Sequence, residues 1–316
     1  MSKAFASAGD LEDKVVSFTQ LAPGCYAYTA EGDPNSGIII GEDGVMVIDT
    51  QATPEMAADV LARVRAITDK PVKYVVLSHY HAVRVLGASA YEPQAIIASR
   101  DTYDLIVERG AADMASEIGR FPRLFRGVDS IPGLTWPTIV FENKLTVQLG
   151  GLEVEILQVG RGHTKGDTVV WVPAHKVMYA GDLVEYGATP YTGDAHLEDW
   201  PGTLDNLATF GAEKLVPGRG DALTNAAQVA DAIAGTRAFV SDLFQSVKAA
   251  KDAGKSLNDT YRTVYAELKQ KYGNWVIFDH CMPFDVTRAY DEAGGLSHPR
   301  IWTDERDQAM WKELEG

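Results

Sequence analysis

Apolar and polar residues follow strand-like spacing over most of the first two-thirds of the chain. Short apolar or alternating runs predict two groups of strands, which are separated by a helical segment and a Pro- and Gly-rich link. The predicted strands cover residues 15–19, 25–29, 37–41, 45–50, 72–77, 138–142, 145–149, 152–159, 168–172 and 177–180.

Helical spacing marks the segments between and after these strands. Thr53 and Pro54 suit the N-cap and first position of a helix that continues to about Ile67. A second helix is expected at 101–119, and helices dominate from residue 201, the longest at 225–250. Strands in two groups with helices around them predict an α/β fold in which two sheets pack face to face. We therefore expect an αββα sandwich with a helical C-terminal extension.

The chain contains neither an internal repeat nor a flexible low-complexity linker. We therefore expect one domain over residues 1–316, with a core at about 14–220 and a helical part at about 221–316.

The charge and the distribution of apolar residues disfavour nucleic acids and membranes as binding partners. The 316 residues carry a formal net charge of −15, which disfavours binding to a phosphate backbone. No run approaches the ~18 consecutive apolar residues of a membrane span, and no apolar secretory segment follows the first residues. The expectation is a cytoplasmic protein that acts on a small molecule without binding nucleic acid or membrane, and a homodimer is left open.

Candidate chemistry begins with His79 and His81, which follow the predicted strand 72–77. Residues two apart at the end of a strand point the same way, so both imidazoles can reach one point. Imidazole is the commonest metal ligand in proteins. One such pair is a weak signal by itself.

Three further segments strengthen the hypothesis of a metal site. His163 lies in a glycine-rich loop between two predicted strands, while Asp49 and Asp182 each end a strand. Together with the histidine pair, these segments are similar in order and context to the motifs of the metallo-β-lactamase superfamily, including its glyoxalase II-like metallohydrolases. The resemblance covers about residues 20–220 and implies the metallo-β-lactamase type of αββα fold.

The same resemblance implies roles for individual residues. His79, His81 and His163 correspond to the ligands of the first metal ion, and Asp182 corresponds to the carboxylate that usually bridges two metal ions. Asp49 corresponds to a residue that orients a ligand histidine.

The chain departs from the family pattern at the second metal position. Val83 and Arg84 stand where an aspartate and a histidine are usual, and Arg219 replaces the histidine of a PGHG-like motif. Neither valine nor a protonated guanidinium can bind a metal ion. We therefore predict a degenerate second site and one divalent metal ion, zinc first, with iron or manganese as alternatives.

The two arginines suggest what replaces the second metal ion. Arg84 and Arg219 could hold Asp182 through charge-assisted hydrogen bonds or clamp a carboxylate or phosphate of the substrate. A purely structural pairing of both arginines with Asp182 is an equal alternative.

The predicted function is hydrolysis of an ester, lactone, thioester or similar small anionic substrate by a metal-bound hydroxide. Asp182 would orient the water or accept its proton, and the metal ion or an arginine would stabilise the oxyanion. An iron-dependent redox or lyase enzyme on the same fold is one alternative, and a non-catalytic binding protein with a decayed site is another.

Four weaker candidates complete the set. Tyr80 could donate a hydrogen bond into the pocket or simply pack under the loop. Asp167 could brace the loop that carries His163. His280 and Cys281 could fold back to the metal as extra ligands, although packing is the commoner role for such a pair.

Overall fold

The computed structural model describes residues 4–315, in which twelve strands form two sheets. The first sheet has the order β1-β2-β3-β4-β5-β6-β7, antiparallel as far as β4 and parallel from β4 to β7. Its strands are β1 (Val16–Ala22), β2 (Cys25–Ala30), β3 (Ser36–Ile40), β4 (Val45–Ile48), β5 (Val72–Val76), β6 (Ala95–Ser99) and β7 (Ile139–Phe141).

The second sheet has the order β12-β11-β10-β9-β8 and is antiparallel except for the pair β11 and β12. Its strands are β8 (Lys144–Leu149), β9 (Leu152–Gln158), β10 (Thr168–Val172), β11 (Val177–Gly181) and β12 (Lys214–Pro217).

The two sheets pack face to face through their apolar inner sides. Ile39 and Val76 of the first sheet belong to the same buried cluster as Val170 and Tyr179 of the second. The Tyr179 hydroxyl also donates a hydrogen bond of 3.1 Å to the carbonyl oxygen of Ile38 across the sandwich. Burial of these apolar side chains between the layers stabilises the sandwich.

Helices cover both outer faces, which confirms the predicted αββα sandwich. Helices α1 and α3 pack on the first sheet, and α4 and α5 pack on the second. The last four helices form the predicted C-terminal extension. The helices are α1 (Pro54–Arg65), α2 (Ala82–Val85), α3 (Arg100–Arg120), α4 (Trp200–Ala208), α5 (Ala226–Asp252), α6 (Leu257–Tyr272), α7 (Phe278–Ala293) and α8 (Asp304–Glu315).

Local sequence signals account for helix α1. The Thr53 side chain accepts a hydrogen bond of 3.2 Å from the Met56 backbone N–H, as expected for an N-cap, and Pro54 occupies the first helical position. The predicted start of this helix is confirmed.

Two strands were missing from the sequence prediction. β6 and β12 contain five and four residues, respectively, and each lies next to or between helices rather than beside a predicted strand in the sequence. β12 lies within the region that was expected to be helical, and its parallel pairing with β11 places Arg219 beside Asp182 at the same edge of the sandwich. Within residues 4–315, no helix is both long and apolar enough to cross a bilayer.

Candidate metal centre

The predicted ligand histidines come together at one edge of the sandwich. His79 and His81 lie between β5 and α2, and His163 lies in the loop between β9 and β10. One nitrogen from each ring lies within 4.8 Å of the other two, and all three residues are buried. In the part of the chain that the structure describes, no other three His, Cys, Asp or Glu side chains meet in this way.

Hydrogen bonds on the outer side of each ring orient the three histidines. His79 Nδ1 lies 2.9 Å from Ser78 Oγ, and His163 Nδ1 lies 2.8 Å from the carbonyl oxygen of Tyr191. His81 Nε2 lies 3.2 Å from a carboxylate oxygen of Asp194. Because each outer nitrogen faces an acceptor, it carries the proton of a neutral ring, and the opposite nitrogen is the one that can offer a lone pair to the centre of the cluster.

The inner nitrogens are the atoms that can supply electron pairs to a metal ion. His79 Nε2 is buried and has no hydrogen-bond partner among residues 4–315. His81 Nδ1 and His163 Nε2 are 2.9 Å apart and share a proton, which a metal ion would displace. An orphaned buried nitrogen costs free energy unless a ligand satisfies it, so this donor set fits a metal ion.

The charges around the rings favour a cation. Burial lowers the pKa of His163 to about 3 and holds that of His79 well below its ordinary value. Burial also opposes protonation of His81, but the carboxylates of Asp113, Asp194 and Glu117 outweigh it and raise the pKa to about 9. The field that favours a proton on His81 also favours a divalent cation at the same point.

Asp49 acts on His79 through Ser78. Its carboxylate accepts hydrogen bonds from the backbone N–H of Ser78, at 2.9 Å, and from the Ser78 hydroxyl, at 2.7 Å. The hydroxyl oxygen is then free to accept the proton on His79 Nδ1. Burial raises the pKa of Asp49 to about 6, although Arg84 and the Ser78 hydrogen bonds act in the opposite direction.

Asp182 lies beside the cluster and is held by Arg84. One carboxylate oxygen is 3.8 Å from His79 Nε2 and 3.7 Å from His163 Nε2, and the other accepts a hydrogen bond from Arg84. Burial favours the neutral acid, but the Arg84 guanidinium together with His79, His163 and Arg219 outweighs it and holds the pKa of Asp182 well below its ordinary value. Asp182 is therefore an ionised carboxylate with one oxygen free to face the cluster.

Both arginines at the degenerate second site lie near Asp182, but their environments differ. Arg84 also donates hydrogen bonds to the carbonyl oxygens of Gly218, at 2.7 Å, and Asn35, at 3.0 Å. Arg219 donates to the carbonyl oxygen of Gly32, at 3.2 Å, and lines a narrow pocket over the cluster. We call this the metal pocket. It is lined by residues that include His81, Arg120, His163, Asp182, Tyr191 and Arg219.

Asn35 and Gly218, which were absent from the sequence prediction, explain how the loop after β12 is placed. The Asn35 side-chain amide donates hydrogen bonds of 2.9 Å to the carbonyl oxygens of Pro217 and Gly220. A Cβ atom at position 218 would lie 2.2 Å from an Asp182 carboxylate oxygen, so this close approach requires glycine.

Asp167 and Tyr80 lie on the outer side of the histidines. Asp167 accepts hydrogen bonds from the backbone N–H of Thr164, at 3.0 Å, and from the Thr164 hydroxyl, at 2.6 Å. It therefore holds the turn that follows His163. The Tyr80 ring packs 4.5 Å from the His81 ring and borders a different cavity, together with Arg109.

His280 and Cys281 lie in the first turn of α7 and are not members of the histidine cluster found within residues 4–315. His280 packs among aromatic rings, 4.4 Å from Phe121 and 5.5 Å from Phe284. Cys281 borders the metal pocket, and its sulfur lies 3.8 Å from the carbonyl oxygen of Thr189.

Several buried charged residues near the site were not identified from the sequence. Asp194 bonds to His81 and also accepts a hydrogen bond of 2.8 Å from Arg109. Asp113 and Glu117 on α3 accept hydrogen bonds from the backbone N–H groups of Ala82 and Val83, at 2.7 and 2.8 Å. These two side chains hold the start of α2. Burial and the repulsion from Glu117 raise the pKa of Asp113 well above its ordinary value, so the pair places less than two full negative charges beside His81. Isolated acidic residues on a helix carry no motif that would have indicated this role.

Comparisons with known proteins agree with this arrangement. The family described as the metallo-β-lactamase superfamily matches residues 29–219. A type 2 metallo-β-lactamase of Bacillus cereus is 23% identical over 66% of this chain and 78% of that protein. A linear primary-alkylsulfatase of Pseudomonas sp. is 24% identical over 65% of this chain but only 45% of the sulfatase.

A solved structure extends the structural likeness beyond the family match. The stereoselective inverting sec-alkylsulfatase Pisa1 from Pseudomonas sp. superposes with a TM-score of 0.68 and 18% sequence identity. The match covers 88% of this chain and 50% of that one. A match of this extent includes much of the helical region after Arg219. The family match, the fold and the clustered histidines together show that the chain belongs to the metallo-β-lactamase superfamily and is an enzyme of its hydrolase class.

Proposed function

We propose that the protein is a mononuclear metallohydrolase whose substrate is a small anionic ester, lactone or thioester. The orientation of His79, His81 and His163 carries this proposal, because each ring directs one nitrogen to the same buried point. The three imidazoles would hold one divalent ion, with zinc as the first choice. When bound, such an ion supplies Lewis acidity and makes water a stronger acid.

The side chains around the ion would divide the remaining work. Asp182 remains ionised because Arg84 lowers its pKa, so it is a weak proton acceptor and is better suited to orienting a water molecule. Its free oxygen, which faces His79 and His163, can accept a hydrogen bond from that water. Arg219 borders the same pocket and can donate hydrogen bonds to the developing oxyanion.

The contacts support different roles for the two arginines. Arg84 is occupied by Asp182, Gly218 and Asn35, so we propose that it replaces the positive charge of the second metal ion. Of the two arginines, Arg219 is the one whose guanidinium remains available to a substrate. Two metal ions per chain would contradict this assignment.

Sulfate esters are a second candidate substrate class. The likeness to the sec-alkylsulfatase Pisa1 covers more of this chain than the family match does and includes C-terminal helices. An alkyl sulfate is a monoanionic ester, which suits a pocket with an uncommitted arginine. Release of inorganic sulfate from an alkyl sulfate would favour this class over carboxylic esters and lactones.

The decisive experiment is metal content per chain, measured by elemental analysis on protein purified without a histidine tag. We expect about one zinc ion per chain in the native protein, because a three-histidine site binds one ion. The His81→Ala variant should lose it, while His175→Ala, the same substitution in the turn between β10 and β11, should retain it.

Other results would redirect the assignment. One iron ion per chain, together with oxygen consumption, would favour the redox or lyase alternative. Failure to bind any metal after reconstitution would favour a non-catalytic binding protein. Hydrolysis of esters, lactones and thioesters should then be compared between the native protein and His81→Ala.

A further inference from the structure

Residues 189–198 connect the metal centre to the C-terminal helices, and we call them the support loop. They lie between β11 and α4 and form neither helix nor strand. The carbonyl oxygen of Tyr191 in this loop lies 2.8 Å from His163 Nδ1, and the Asp194 carboxylate lies 3.2 Å from His81 Nε2. The support loop therefore supplies the outer hydrogen-bond partners of two of the three ligand histidines.

The support loop is buried although it has no regular secondary structure. Thr192 and Ala195 are fully buried, and Leu197 is 1% exposed. Backbone N–H and C=O groups that are buried outside helices and sheets need hydrogen-bond partners from elsewhere in the fold. The conformation of this loop therefore depends on the groups that pair with its backbone.

Helix α7 provides two of these partners from its middle turns. The Asp285 carboxyl group accepts hydrogen bonds from the backbone N–H of Thr192, at 2.7 Å, and from the Thr192 hydroxyl, at 3.0 Å. Arg288 Nε donates a hydrogen bond of 2.7 Å to the carbonyl oxygen of Ala195. Both side chains thus bond to residues of the support loop on either side of Asp194.

The end of α7 and the segment after it hold the loop further. The Glu292 carboxylate accepts hydrogen bonds of 3.0 Å from the backbone N–H groups of Leu197 and Glu198. Trp302 Nε1 donates a hydrogen bond of 3.0 Å to the carbonyl oxygen of Gly193. Because the three α7 residues are three and four positions apart, they lie on one face of the helix, and this face is turned to the support loop.

Asp285 is the member of this face that lies nearest to the orienting carbonyl group. Its partner Thr192 directly follows Tyr191, and the ring of the adjacent Phe284 packs 5.6 Å from the Tyr191 ring. Asp285 is fully buried, and burial raises the pKa of its carboxyl group well above the ordinary value, although the Thr192 hydrogen bonds act in the opposite direction. Asp285 is therefore a neutral acid whose Oδ1 holds the support loop.

We propose that the C-terminal extension contributes to metal affinity by holding the support loop, and that Asp285 is a positioning residue that acts on His163 through Thr192 and Tyr191. This inference rests on the proposed metallohydrolase and adds to it a role in metal binding for helices beyond residue 219, where the family match ends. A support loop released from α7 would leave His163 and His81 less firmly oriented.

Zinc affinity, measured by competition with a chromophoric chelator, tests the role of Asp285. We expect Asp285→Ala to weaken zinc binding by about 3- to 10-fold, which is less than the loss of about 10- to 100-fold for a group that bonds to a ligand directly. Asp285→Asn should restore the affinity, because its amide oxygen can accept both Thr192 hydrogen bonds and the amide has the shape of the neutral acid.

Asp279→Ala is the matched control on the same helix. Asp279 is an exposed carboxylate in the first turn of α7 that pairs with Lys269, so its loss should change zinc affinity less than about 2-fold. Equal losses in Asp279→Ala and Asp285→Ala would reduce the effect to a general change in α7 and overturn the proposal.

Cobalt(II) in place of zinc gives a readout that a general loss of stability would not change. The visible absorption of this ion depends on the geometry of its ligands. Asp285→Ala should therefore alter the absorption bands, whereas Asp285→Asn and Asp279→Ala should leave them unchanged. Lower resistance of metal-free Asp285→Ala to urea, with an unchanged cobalt spectrum and zinc affinity, would make Asp285 a purely structural residue and overturn the proposal.

Hydrogen exchange in the native protein keeps the test independent of how the variants fold. Coupling between two sites is reciprocal, so zinc should protect the backbone amides that α7 holds. We expect the amides of Thr192 and Leu197 to exchange about 3- to 10-fold faster after chelator treatment, the same factor by which Asp285 changes zinc affinity. Equal exchange rates with and without zinc would overturn the proposal.

The same measurements separate this inference from the proposed function. Zinc affinity that depends on Asp285 in a protein without hydrolase activity would retain the positioning role and reject the hydrolase. Zinc-dependent hydrolysis, with the same zinc affinity in Asp285→Ala as in the native protein, would retain the hydrolase and reject the positioning role.

Discussion

Arg84 shows how one substitution changes the chemistry of a buried corner. A histidine at this position could bind a metal ion, whereas the guanidinium donates hydrogen bonds to Asp182, Gly218 and Asn35. Such a buried ion pair adds little net stability compared with apolar packing, but removing one partner leaves an uncompensated charge. The contacts of Arg84 therefore agree with the structural alternative, while those of Arg219 leave a role in substrate binding open.

The role of Asp194 in orienting His81 can be tested by a single substitution. We predict that Asp194→Asn lowers the affinity for zinc by about 10- to 100-fold, because loss of the carboxylate weakens the orientation of His81 and the negative field around it. Competition with a chromophoric chelator measures the change. Asp205→Asn is the control, since Asp205 is an exposed carboxylate that pairs with Arg237.

An unchanged zinc affinity in Asp194→Asn would contradict the orienting role. Urea unfolding of the metal-free variant should accompany the titration, because Arg109 also bonds to Asp194 and its loss of a partner could affect folding.

Helix α7 shows how an element can include a histidine without using it at the metal site. His280 is buried among the rings of Phe121, Phe284 and Trp311. Neither of its ring nitrogens has a hydrogen-bond partner in the described residues 4–315. Burial, and then the positive charges of Arg120 and Arg219, hold the pKa of His280 well below the ordinary value of 6.5.

This shift predicts a pH dependence of stability. As the pH falls below about 6.5, the unfolded chain binds a proton on His280 while the folded protein does not, so the stability present above that pH is lost. The free energy of unfolding should therefore fall more steeply with decreasing pH in the native protein than in His280→Phe, by up to about 1.4 kcal/mol per pH unit. Urea unfolding of the zinc-loaded proteins from neutral to acidic pH measures this difference.

The phenylalanine variant also tests the sequence-based suggestion that His280 is an extra ligand. Packing predicts that metal content stays the same in His280→Phe. Identical pH slopes in the two proteins would refute the stability argument, and a loss of metal would refute the packing role.

The metal centre joins the two halves of the whole molecule. His79 and His81 follow a strand of the first sheet, whereas His163 and Asp182 come from the second. Arg84 and Asp182 form an ion pair across the same boundary. An ion at this position would therefore connect the layers and bind the folded state in preference to the unfolded chain.

Linkage gives the size of this effect on stability. Zinc at a free concentration 100 times its dissociation constant should raise the free energy of unfolding by about 2.7 kcal/mol. Unfolding in urea with zinc or with a chelator measures the increment. His163→Gln should lack it because one ligand is removed, and an equal increment in this variant would show that zinc binds elsewhere.

The sequence by itself determined the αββα architecture and the main candidates for the site. Hydrophobic periodicity and capping residues act locally, so β1, α1 and most other elements could be predicted within a few residues. The histidine pattern and its departures at Val83 and Arg84 likewise lie in short motifs. The identity of the metal, the number of metal ions per chain and the substrate stay predictions.

The tertiary structure decided which side chains distant in sequence contact the histidines and which line the metal pocket beside them. Asp194, Asp113 and Arg120 carry no motif, because their contacts with the site depend on how α3 and the loop before α4 pack against it. The short strand β12 was missed for a similar reason: its four residues gain a strand conformation by pairing with β11. Local spacing predicts elements and ligand motifs, whereas burial and partner choice arise only when residues far apart in the chain are packed together.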